Sequence, residues 1–163
     1  MRKILFCGLV FMWVLSCKHS GPEVTEDASA YDVSTENWPE KSKVNATAVT
    51  MLAGWVEYSE LDATFDGLYS VENTEDLSLI LEDLIEKQKL LEESGYPESF
   101  DKPQIKSRQK VFLTYVLKTK GDLEYRTDPQ QSVREIIDAY NAWRHQFDII
   151  ANNTLDIKKL LEE

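Results

Sequence analysis

From Val133 to Leu161, apolar residues return in alternating steps of three and four: Val133, Ile136, Tyr140, Trp143, Phe147, Ile150, Ile157 and Leu161, with Thr154 the one polar member. That spacing keeps a single face of a helix apolar along its whole length. Asp128 stands ahead of the run as a cap. Pro129 follows at the first helical position, where a missing N–H costs nothing, and Gln131 can close a capping box. At 1.5 Å per residue, the helix predicted over about 129–163 reaches about 50 Å.

Three further helical patterns precede it. Val44, Ala48, Met51, Leu52, Trp55 and Tyr58 predict a helix over about 40–66, with Gly67 as its stop. Leu77, Ile80, Leu81, Leu84 and Leu91 predict a second over about 74–94. Asn73 or Thr74 caps its start, and Gly95 and Pro97 follow its end. Ile105, Phe112, Tyr115 and Val116 predict a third from about Asp101 or Pro103 to Lys120, weakened at Gly121, with Leu123 and Tyr125 able to extend it. No strand alternation occurs after residue 40. Short loops between helices imply antiparallel neighbours, so the expected fold is all-α, an up-down antiparallel four-helix bundle over 40–163. The last helix outruns the second and third, which reach about 30 Å. In such a bundle the start of the first helix meets the end of the last.

The chain begins differently. Met1-Arg2-Lys3 is basic, Ile4 to Leu15 is almost wholly apolar, and Ser16 and Cys17 close the run. A basic head, a short apolar middle and a small residue before the cut make a secretory signal over 1–16. The run is too short to span a bilayer, which takes about 20 apolar residues. Val14-Leu15-Ser16-Cys17 resembles the lipobox of bacterial lipoproteins. The resemblance implies that the Cys17 thiol takes a diacylglycerol, that the chain is cut just before it, and that the new amino group is acylated. More than one acyl chain gives stable anchoring. The membrane is then a partner through the lipid on Cys17.

Residues 17–39 read as the lipidated cysteine and a flexible acidic linker. The stretch from Lys18 to Ser42 has too little apolar surface to offset the entropy of ordering. Trp38, just ahead of Pro39, is the one residue there suited to pack back on the domain.

Charge and chemistry narrow the function classes. The formal charge is −11, and loss of Arg2 and Lys3 with the signal takes it to −13. Such a chain holds no nucleic acid non-specifically and is repelled by anionic headgroups. With Cys7 in the signal and Cys17 lipidated, no cysteine remains for a disulfide, a thiolate metal site or a nucleophile. His19 lies in the linker, and His145 has Ala142 three residues before it in place of a carboxylate, so the Glu-x-x-His pairing of di-iron bundles is missing. There is no Gly-x-Ser-x-Gly elbow and no cluster of glycines to cradle phosphate. The expectation is no enzyme, no cofactor and no metal.

Pro103, Ile105, Lys106, Ser107, Arg108, Lys110, Val111 and Thr114 form a segment similar to one found in small Bacteroidota-type envelope lipoproteins, and "AYNAWRHQFD" has a similar character. The resemblance implies an all-helical envelope protein and brings no activity with it. In related lipoproteins acidic residues directly behind the cysteine signal export to the surface. Here Lys18 and His19 come first, which implies the outer membrane with the domain facing the periplasm.

Two polar residues interrupt apolar stripes. Asp62 continues that of the first helix and is expected to bond a neighbour at the seam. Arg108 lies on the inner edge of the third and is expected to be buried, with Gln88 or Glu92 as partner. Ile149, Leu155 and Leu160 on the last helix and Val49 and Val56 on the first lie off the seams. They are the expected contact surface at the long-helix end, for a second copy or an unidentified envelope protein. The function that fits is a lipid-anchored, protein-binding adaptor or accessory subunit. The alternative is a small-ligand-binding or sensing bundle of the periplasm, with a cavity lined by Trp55, Tyr115, Tyr140 and Trp143.

Overall fold

The computed structural model describes residues 33–161, with side chains through residue 153. Residues 1–32, and with them the signal, Cys17 and most of the linker, lie outside the described residues, as do the side chains of Leu155 and Leu160. The described chain is all-helical: α1 Ala46–Leu52, α2 Val56–Asp66, α3 Thr74–Ser94, α4 Pro103–Glu124 and α5 Gln130–Leu161, with a 3-10 turn at Gly67–Ser70. No strand occurs among the described residues.

The first predicted helix is two helices with a turn between them. Residues 40–45 are not helical, α1 ends at Leu52, and the chain turns through Ala53, Gly54 and Trp55 before α2 begins. The apolar stripe runs across this break, because Ala48, Leu52, Trp55 and Tyr58 are all buried. Continuity of the stripe concealed the break. Gly54, costly inside a helix, was its one sequence signal. Gly67 does not stop α2 by a left-handed turn. Its φ is −59°, and a Cβ there would come within 2.7 Å of Ile80 Cδ1. Its role is close approach of the 3-10 turn to α3.

Elsewhere the local signals act as their chemistry dictates. Asn73 caps α3 by accepting from the Asp76 amide at 2.8 Å. Gly95 ends α3 at φ 81°, where L side chains are strained. The α4 helix continues through Gly121 to Glu124. One glycine costs only about 1 kcal/mol, and Thr119 and Leu123 on either side still contact the core. Arg126 then takes a left-handed conformation, φ 54°. Asp128 accepts from the Gln130 amide at 2.9 Å at the start of α5.

The core is aromatic. Phe65 stacks on Tyr140 with centroids 3.8 Å apart. Tyr58 meets Trp143 at 5.7 Å and Phe147 at 5.1 Å, and Phe112 meets Tyr140 at 5.0 Å. Surface ion pairs mark the register between helices: Glu60 with Lys87, Glu82 with Lys120, and Lys118 with Glu135. On α5 the fully buried face follows the predicted seam through Val133, Ile136, Tyr140, Trp143 and Phe147, then passes to Ala151, with Ile150 only partly buried.

In the leading segment Trp38 packs back on the domain as expected, and Val33 packs as well. Both are buried, so the packed region begins ahead of the expected boundary at residue 40. Trp38 Nε1 donates to Gln130 Oε1 at 2.8 Å, while Asn45 bonds Asp148 and Asn152. Residues 38–45 thus run along α5 from its first turn toward its later ones.

Candidate functional site

Along α5, Asn141, Arg144, Asp148 and Asn152 recur in steps of three and four, a polar stripe beside the aromatic one. Residues 40–45 lie on this stripe. Asn141 donates to the Glu40 carbonyl at 2.9 Å and accepts from the Ser42 amide at 2.7 Å. Arg144 Nε donates to the Ser42 carbonyl at 2.9 Å, and Asp148 accepts from the Asn45 amide at 2.8 Å. A segment without helical hydrogen bonds thereby satisfies its backbone on side chains of α5, as a packed backbone must.

Arg144 is the centre of this arrangement. It is buried, at 8% exposure, and its Nη1 donates to the Tyr58 hydroxyl at 3.2 Å and to Asp62 Oδ1. Tyr140 donates to the same carboxylate oxygen at 2.6 Å. Lys41 reaches the other, Oδ2, at 3.3 Å and also pairs with Asp66. Burial opposes the guanidinium charge, but Tyr58, Tyr140 and Asp62 offset this and leave its pKa raised. Burial pushes the Tyr58 hydroxyl up to about 12, opposed by Arg144 and aided by Asp62. Tyr140 is held well above the usual tyrosine range, first by burial. Each hydroxyl is therefore a fixed neutral donor or acceptor at neutral pH. Among the described residues, no group of three or more His, Cys, Asp or Glu side chains could hold a metal ion. The network's chemistry is that of a clamp joining the leading segment, α2 and α5.

Asp62, singled out from the sequence, is thus bonded from three directions. Arg144 was missed, because it follows Trp143 directly and reads as a solvated flank. The sequence signal that could have found it is the polar stripe itself. Arg108 corrects the expectation most sharply. It is exposed; the buried polar residue of that turn is Gln109, which accepts a hydrogen bond from Tyr96. A rotation of one residue about α4 accounts for the error, and Gln88 and Glu92 are not its partners. Arg108 instead lines a groove between α4 and α5 with Pro103, Gln104, Ser107 and Gln146, of about 390 Å³.

Val49, Val56 and Ile149 are exposed, at 53%, 60% and 39%. Ile149 projects beside Gln146, three residues earlier on α5, whereas Val49 and Val56 flank the turn between α1 and α2. Of the four residues expected to line any ligand cavity, Trp55, Tyr140 and Trp143 are packed against the ring of Phe147 or against one another, and Tyr115 is partly buried against the core. No helix among the described residues is long and apolar enough to cross a membrane. Comparison of the chain with protein-family models, curated proteins and solved structures finds no match.

Proposed function

We propose that this chain is a lipid-anchored envelope protein whose helical domain acts as a protein-binding adaptor or accessory subunit. The observation that carries this reading is the filled aromatic core. Trp55, Tyr58, Phe112, Tyr140, Trp143 and Phe147 contact one another ring to ring. A bundle that encloses a small ligand keeps such side chains around an opening; an adaptor needs only a firm scaffold and a surface. The paired positions along the helices support an up-down arrangement of α2, α3, α4 and α5. As α2 advances from Tyr58 to Phe65, its ring partners on α5 retreat from Phe147 to Tyr140. The α4 and α5 pairings, Lys118 with Glu135 and Phe112 with Trp143, behave likewise.

The anchor of this reading is Cys17, placed in the outer membrane with the domain facing the periplasm. Its support is the basic, apolar, Ser16-Cys17 order of the first residues. Cells fed clickable palmitate should label the wild-type protein and not Cys17→Ala; equal labelling removes the anchor. Crosslinking and co-purification of the tagged protein from its own envelope tests the adaptor role, with sedimentation at several concentrations to detect a homodimer. A strictly monomeric protein that brings down no partner would reverse the conclusion.

A further inference from the structure

The groove beside Arg108 has a charge character unlike the rest of the chain. The formal charge of the whole is −11, yet Lys102, Lys106, Arg108 and Lys110 fall within nine consecutive residues that include no Asp or Glu. Lys106 is held by Asp101 and lies over the Tyr96 ring at 4.8 Å. Lys102, Arg108 and Lys110 are exposed and make no ion pair among the described residues. Most other lysines of α3 and α4 are committed, since Lys87, Lys118 and Lys120 each hold a carboxylate across a helix pair. Of Lys102, Arg108 and Lys110, Arg108 lines the groove with Gln104, Ser107 and Gln146, and the two lysines flank that lining in sequence on α4 and its cap.

Apolar surface adjoins this cluster. Val111 and Ile149 are each 39% exposed. Val111 lies one helical turn from Arg108 on α4, and Ile149 one turn from Gln146 on α5. A guanidinium with free donors, neutral hydrogen-bonding groups at its foot and apolar residues at its side match an extended peptide that alternates carboxylates with aliphatic side chains. The guanidinium fork takes a carboxylate in two parallel hydrogen bonds, which a lysine does not reproduce.

We propose that the α4–α5 groove is the docking site for an acidic segment of a protein partner, with a partner carboxylate on Arg108 and aliphatic side chains against Val111 and Ile149. This rests on the adaptor reading and names its surface and the partner's chemistry. Nucleic acid is the poorer occupant, because an acidic protein repels a long polyanion outside so small a basic patch.

The test uses the full-length protein in detergent and a fluorescein-labelled peptide repeating Glu-Leu-Glu, followed by fluorescence anisotropy. Wild type should bind saturably, with affinity falling as salt rises. Arg108→Glu should bind at least about tenfold more weakly, one decade in Kd, and Arg108→Lys should recover only part of the loss. Lys89→Glu, the same charge change at an exposed site on α3, should bind like wild type. A peptide with Gln in place of Glu should not bind. Because Arg108 is exposed, all variants should melt alike. Failure of wild type to saturate, or equal weakening by Arg108→Glu and Lys89→Glu, overturns the groove as a site. The adaptor reading fails separately: a partner recovered from envelopes whose retention ignores Arg108→Glu keeps that reading and removes this one.

Discussion

Arg144 and Asp62, 82 residues apart in sequence, form an ion pair in which the guanidinium is nearly enclosed and the carboxylate is partly open to solvent. Tyr58 and Tyr140 complete it, and the Ser42 carbonyl takes the remaining Nε–H. Asp62→Leu strands the guanidinium, whereas loss of Arg144 leaves Asp62 with Lys41 and Tyr140. Breaking a buried pair costs about 3–5 kcal/mol, and the partial exposure of Asp62 places this one toward the lower end. Arg144→Met and Asp62→Leu should each lower the urea midpoint, and the double variant should lose less than their sum. Additive losses would show that the two side chains do not act together.

The alkaline limit of stability should report the same cluster. Tyr58 titrates near 12 in the fold, mainly through burial, and Tyr69 is likewise pushed up to about 12, first by burial and then by Asp66 and Glu40. The ordinary tyrosine value is about 10. The unfolded chain therefore releases these protons first as pH rises. Their contribution is intact below about pH 10 and is lost progressively toward about pH 12 and above. For Tyr58 the loss is of the order of 2–3 kcal/mol. Tyrosinate absorbance and circular dichroism, followed together, should show the hydroxyls of Tyr58 and Tyr69 ionising only as the helices melt. Ionisation of all tyrosines near pH 10, with the helices intact, would contradict the clamp.

Most of the helices were legible in the chain, for physical reasons that also explain the exceptions. The α5 seam and the Asn73 cap with Gly95 are local signals, each read from a few neighbouring residues and each acting locally. The break at Gly54 and the path of residues 38–45 are not local. The path of 38–45 depends on Asn141, Arg144 and Asp148 supplying hydrogen-bond partners from about a hundred positions away. No periodicity within the segment encodes that. Arg108 and Gln109 show the finer limit. One residue of rotation exchanges a buried polar group for an exposed one, and both orientations keep Ile105, Phe112 and Val116 inside.

The leading segment should be part of the folding unit. Trp38 is 7% exposed and Val33 6%, and truncating a buried tryptophan to alanine costs about 3–5 kcal/mol. Trp38→Ala should lower the thermal midpoint by many degrees, and Asn45→Ala by less, since it removes one cap worth about 1 kcal/mol. A protein lacking residues 33–39 should be destabilised at least as much as Trp38→Ala. Midpoints like that of wild type would return this segment to the linker.

Among the described residues, Ser42, Gln88 and Trp143 carry buried side-chain polar atoms without a partner, and Gln88 carries two of them. It is 1% exposed, and neither its Nε2 nor its Oε1 finds a partner among the described residues. Leu84 and Leu91 lie a turn to either side on the same buried face of α3. The indole N–H of Trp143 is also buried and unpartnered. The two groups lie at about one level of the core. Gln88 adjoins Lys87, which meets Glu60 close to Tyr58, and Trp143 packs on Tyr58 and Phe112. An unmet buried amide costs about 1–3 kcal/mol, so Gln88→Met and Gln88→Leu, which keep much of its volume, should raise the thermal midpoint. If both variants instead lower it, the amide is bonded in solution, and an internal water shared with Trp143 becomes the explanation. Trp143→Phe then decides, since its cost should shrink in the Gln88→Leu background only if the two groups share that water.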